Sequence, residues 1–183
     1  RYEKRENNRR RGSLKVVGVY GFNNTSRMVL SLAVAKQLSE KCNTLFVNFE
    51  TFGGFKGILK GEEEQNLSDA LYAFRQNHNQ FHKNIVNAIS HYDRLDYIPD
   101  TSCADDIDDI KAEELGTFVQ GIGRELGYSY IVVDIGDGLR MPWNMMDCFD
   151  EIYMCDGDNY LEKSKVRNFE NMVMERGMNN VVS

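Results

Sequence analysis

Three charged side chains stand where apolar runs of this sequence end, and they are of the types that handle a phosphate and its metal. Arg27 follows Leu14–Tyr20 after the polar stretch Gly21-Phe22-Asn23-Asn24-Thr25-Ser26, Glu50 follows Thr44–Phe49, and Asp134 closes the run that begins at Tyr130. A loop before a helix can cradle phosphate oxygens with backbone N–H groups, and the helix start adds its dipole. Arginine answers the phosphate charge with a planar fork. Carboxylates on neighbouring strands hold Mg2+ through water, because that ion keeps much of its hydration shell. On this reading Gly21, Asn23, Asn24, Thr25, Ser26, Arg27 and Met28 form a phosphate-binding segment. Asp134 and Glu50 hold Mg2+ through water.

The elements that must position these groups are legible around them. Leu14–Tyr20 is apolar and β-branched and predicts a buried strand. Thr25 or Ser26 is placed to cap a helix over Arg27–Lys41, and that helix, apolar on most faces, is expected to be buried. Thr44–Phe49 predicts the next strand. This strand–helix–strand unit implies a right-handed crossover and a parallel sheet. Phe52–Gly61 reads as a mobile loop. Short helices follow over 67–75 and 83–91, then a strand over 95–98 stopped by Pro99. The acidic run 105–109 leads into a helical pattern reaching Leu126. Strands are expected over 130–135 and 151–155, a helix over 159–176, and a strand beginning at Val181. Alternating strands and helices predict an α/β class: a mostly parallel sheet with helices on both faces, in three α/β/α layers. Ligands of such sheets sit at the carboxyl ends of the strands, where Arg27, Glu50 and Asp134 fall.

Composition narrows the classes. The chain has 183 residues, 42% hydrophobic and 27% charged, which excludes disordered and fibrous proteins. Its four cysteines are scattered without a paired spacing, as in reduced cytoplasmic proteins. Six basic residues against Glu3 and Glu6 give residues 1–11 a charge of +4, leaving −10 for the rest of a chain whose net charge is −6. Residues 1–13 therefore read as a basic linker from a missing N-terminal region. The acidic body argues against direct nucleic-acid binding.

The order of elements resembles the MinD/ParA-type deviant P-loop ATPases, with most likeness to the CpaE/TadZ branch that localises pilus assembly. The family's first loop reads roughly VYSPKGGVGKTTLALNLA, against VYGFNNTSRMVLSLAVA here. Ser26 matches the last loop glycine, Arg27 the invariant lysine, and Met28 the threonine that binds Mg2+. Asn48-Phe49-Glu50 stands for an Asp-x-Asp pair, and Tyr130–Leu139 (YIVVDIGDGL) resembles DYIVVDLPPGL with Asp134 in register. The likeness covers about residues 14–183, a nucleotide-binding domain expected to stop short of the family's last strands. It implies ATP and Mg2+ as cofactors, Glu50 as the catalytic carboxylate, a homodimer across the nucleotide face, and partners in pilus or secretion machinery. It also implies a receiver-like domain before Arg1 and a cytoplasmic protein recruited to the membrane or cell pole.

The departures set the alternatives. Only Gly21 remains of the loop glycines, Met28 offers no oxygen to Mg2+, and the early loop lysine has no counterpart. The expectation is an ATP-binding switch or localisation protein with weak or no hydrolysis. The first alternative is a nucleotide-free pseudo-ATPase scaffold, in which Phe22 or Arg27 fills the phosphate position. The second is an active ATPase with an atypical loop.

Overall fold

The computed structural model describes residues 13–59, 65–76, 81–136, 143–157 and 159–182. The expected linker over 1–13 therefore lies almost wholly outside the described residues. The chain runs β1 (Lys15–Gly21), α1 (Asn24–Ser39), β2 (Thr44–Asn48), α2 (Leu67–Gln76), α3 (Phe81–Asn87), β3 (Ser90–Tyr92) and β4 (Leu95–Ile98). It continues through α4 (Asp105–Asp108), α5 (Ala112–Leu126), β5 (Tyr130–Asp134), α6 (Trp143–Met146), β6 (Glu151–Cys155), α7 (Tyr160–Glu175) and β7 (Val181–Val182).

The seven strands form one sheet in the order β3-β4-β2-β5-β1-β6-β7. All neighbours are parallel except β3 and β4, which form an antiparallel hairpin. Asp93 turns that hairpin with φ 54, a left-handed conformation that Asp tolerates better than most residues. The sequence pattern does not reveal β3, because its three residues Ser90, His91 and Tyr92 carry no apolar run and the last two are exposed.

Alternation along the strands separates two cores. Val16 of β1, Leu45 and Val47 of β2, and Ile131 and Val133 of β5 face a large core with α2, α3, α5, α6 and α7. Val17, Val19, Phe46 and Val132 face a smaller core under α1. The three-layer α/β/α architecture expected from the sequence is present.

Two expectations need correction. Residues 52–59 are not simply a loop: Phe55–Gly57 is a 3-10 turn, and Phe55 and Leu59 are buried against Phe46 and Tyr97. Helix α1 begins at Asn24 and does not bury its large apolar side chains. Its inward row is Arg27, Ser31, Ala35 and Ser39, while Val29 is 62% exposed. Small side chains on the inward row let the helix lie close to the sheet. Met28, Leu30, Leu32, Val34 and Leu38 then wedge along its flanks, partly buried.

Candidate functional site

The site is built where α1 starts over the carboxyl ends of three central strands. Asp134 is in register with Val19 of β1 and Asn48 of β2. It alternates with Val133 and so shares the face of Val132, under α1. Ser31 lies four residues after Arg27 on the inward row, so both side chains reach the same spot above Asp134.

Arg27 lies inside the protein, fully buried between the two carboxylates. Its Nε donates to Asp134 Oδ1 at 2.7 Å, and its Nη2 donates to Glu50 Oε2. Its Nη1 donates to Asn24 Oδ1 at 3.0 Å and lies 3.5 Å from the Gly21 carbonyl oxygen. The Ser31 hydroxyl donates to Asp134 Oδ2 at 2.6 Å. Arg27 and Asp134 are 0% exposed and Glu50 is 5% exposed. A buried ion pair of this kind holds only where its remaining polar atoms are satisfied. Among the described residues no buried side-chain nitrogen or oxygen lacks a partner. Burial pushes the Asp134 carboxyl above the usual carboxylate range, and Arg27 and Ser31 pull it part of the way back.

The rest of the expected segment has structural roles. The N-cap of α1 is Asn23, whose side chain accepts the Ser26 N–H at 3.0 Å, and not Thr25 or Ser26. Thr25 and Ser26 are already helical, and only Phe22 and Asn23 join β1 to α1. Gly21 answers a packing need: a Cβ there would lie 2.7 Å from Cys155 Cβ. Met28 points to the segment after β2, where its Cε is 3.5 Å from an ideal Cβ on Gly54.

Glu50 is held by its own backbone. Its N–H donates to Asn48 Oδ1 at 3.0 Å, and Gly136 leaves room for it. A Cβ on Gly136 would sit 2.4 Å from Glu50 Cα and from the Phe49 carbonyl oxygen. Asp100, two residues past β4, accepts from Asn48 Nδ2 at 2.8 Å and from the Phe55 N–H at 2.9 Å. The sequence reading did not single out Ser31, Asp100 or Gly136. The strand-end rule applied to β4 points at Asp100, and four-residue spacing from Arg27 points at Ser31.

This donor set does not suit Mg·ATP. Both carboxylates expected at the metal are engaged by Arg27, which sits within bonding distance of each. Position 28 supplies no oxygen. Among the described residues no group of three His, Cys, Asp or Glu side chains is arranged to hold a metal ion. The site as built is one guanidinium bonded to two carboxylates.

No family model matches the chain, and no curated protein is similar to it in sequence. Solved structures are similar in fold. A ParA family ATPase from Chlorobium tepidum is 19% identical over 91% of this chain and 71% of its own, with a TM-score of 0.70. MinD from Pyrococcus horikoshii, complexed with Mg-ADP, is 14% identical over 92% and 68%, with a TM-score of 0.64. The MinC:MinD cell division complex of Aquifex aeolicus is 14% identical over 91% and 66%, with a TM-score of 0.66. The chain has the fold of the ParA and MinD ATPases.

Proposed function

We propose that this chain is a nucleotide-independent scaffold on a ParA/MinD-type fold, a pseudo-ATPase that holds partner proteins without turning over ATP. The observation that carries this reading is Arg27: 0% exposed and bonded to both Glu50 and Asp134. A cation supplied by the chain itself occupies the place a metal would take between these carboxylates, and it holds both of them away from a ligand. The setting we propose is the one implied by the CpaE/TadZ resemblance, the positioning of pilus or secretion machinery. A homodimer and a receiver-like neighbour before Arg1 belong to that proposal. Phe52 (86% exposed) and Ile58 (55%), in the segment that touches α1, give a partner apolar surface to cover. Among the described residues no helix is long and apolar enough to cross a membrane.

A second reading, the ATP-binding switch, is favoured by one observation. A polar cavity of about 500 Å³ lies before the start of α1, bounded by residues 20–25, Glu162 and Lys165. For Arg27 to serve a phosphate there, it would have to leave two buried carboxylates unpaired. Thermal melting separates the two readings. Binding at a hundred times Kd stabilises a protein by about 2.7 kcal/mol, which for a domain of this size raises Tm by about 5–10 °C. We expect a change within about 1 °C with 1 mM ATPγS and Mg2+. A Mg2+-dependent rise of several degrees would support the switch.

A further inference from the structure

The face of the sheet opposite α1 carries a feature that the Arg27 site does not use. Tyr20, on the alternate face from Val19, meets Phe22 and Phe169 of α7, and Trp143 of α6 packs on Phe169 in turn. Phe169 is the buried centre: Trp143 stacks on it at 5.6 Å with 14° between planes, Tyr20 lies 5.3 Å away, and Phe22 meets it edge-on at 6.4 Å. Beside these rings is a cavity of about 310 Å³, open on one side. That size falls at the small end of ligand sites, which are mostly apolar with a few polar groups that fix orientation. Lys165 and Asn168 supply those groups from the α7 row that also carries Phe169 and Met172.

The charge at the rim is positive. Lys165 Nζ stands 5.7 Å from the centre of the Phe22 ring, and among the described residues no carboxylate pairs with it. Arg176 lies 4.5 Å over Trp143 and holds that ring. Glu162, one turn before Lys165, lines the adjoining polar basin. Its charge disfavours a polyanion at this place, while a single carboxylate can reach Lys165 from the aromatic side.

We propose that this cavity binds a small planar aromatic carboxylate, its ring among Tyr20, Phe22, Trp143 and Phe169 and its carboxylate on Lys165. Methionine side chains in the lining, Met146 and Met172, adapt to a ring edge. The cavity adjoins the polar basin before α1 and shares Tyr20, Phe22 and Lys165 with it, so the proposal rests on the reading that no nucleotide occupies that basin.

The probes are 1-naphthoate and its neutral analogue 1-naphthalenemethanol, titrated into the full chain by calorimetry. We expect saturable change with naphthoate at least tenfold tighter than the alcohol, the effect of one charge-assisted contact. In Lys165→Gln, an exposed substitution, that preference falls to about onefold while the alcohol binds as before. A second variant, Met172→Trp, places bulk at the partly exposed mouth and weakens both probes; circular dichroism confirms that each variant is folded, and naphthoate binding in M172W is followed by calorimetry. No saturable binding, equal affinity for acid and alcohol in the parent chain, or an unchanged preference in K165Q would overturn the proposal. Displacement of naphthoate by 1 mM ATP would overturn it too, by giving the cavity to a nucleotide.

Discussion

Replacing Arg27 with Met lowers the stability of the domain by about 3–5 kcal/mol at pH 7, measured by urea unfolding. Methionine fills much of the space of the arginine stem, so the loss reports charge more than volume. The cause is the pair it leaves behind: Asp134 is 0% and Glu50 5% exposed, and without the guanidinium two carboxylates face each other away from water. An arginine that served a ligand from the surface would change stability by about 0.5 kcal/mol or less on the same substitution. The triple variant R27M/E50Q/D134N removes both stranded charges and recovers most of the loss, since uncharged groups are cheaper to keep buried than unpaired ions. Arg27→Lys does not rescue, because a compact ammonium lacks the fork that reaches Asp134, Glu50 and Asn24 together.

The pH dependence of R27M has a definite sign. Burial already raises the Asp134 carboxyl, and Arg27 is the largest influence drawing it down. In the variant its folded pKa rises further above the ordinary 3.8. The folded state then holds a proton that the unfolded state releases, so stability is fully present below about 3.8 and is lost as pH rises through the higher folded value. The gap between the variant and its parent therefore narrows toward acid pH and is widest at neutral pH.

Gly136→Ala costs about 3 kcal/mol or more in the same measurement, near the upper range for overpacking. Its Cβ would lie 2.4 Å from Glu50 Cα and from the Phe49 carbonyl oxygen, and 2.6 Å from the Glu50 nitrogen. These are backbone atoms of β2's end, which is tied to β5 by the Phe49 N–H on the Asp134 carbonyl at 3.0 Å. They cannot turn aside as a side chain would. Relief requires β2 to part from β5, which carries Glu50 off Arg27. Gly57→Ala is the control: nothing lies within 4 Å of its Cβ, and it is expected to be neutral or slightly stabilising.

The fold was legible because strong strands announce themselves. The runs at β1, β2 and β5 are mostly apolar or β-branched and largely buried, β6 buries three of its five residues, and strand and helix alternate as a parallel sheet requires. The strand-end rule also brought Arg27, Glu50 and Asp134 together correctly, since each follows or closes such a run. What the residues do to one another was not legible. Spacing cannot say whether an arginine at a helix start points outward to an anion or inward to carboxylates. That choice rests on where the helix begins, and Asn23 caps it early enough to turn residue 27 under the first turn. The burial of α1 departs from the sequence pattern for a related reason: the many apolar residues around the helix hide a row of small and polar ones, Ser31, Ala35 and Ser39, that faces the sheet. Asp100 and Gly136 act on backbone atoms of other segments, and neither contact has a sequence signature.

A crystal structure grown with 5 mM ATP and Mg2+, inspected at Arg27, decides whether the start of α1 takes a nucleotide. We expect the guanidinium still seated on Asp134 and Glu50, with no nucleotide density before α1. Triphosphate density at the start of α1, with Arg27 swung onto it and Mg2+ on Asp134, would contradict the scaffold reading.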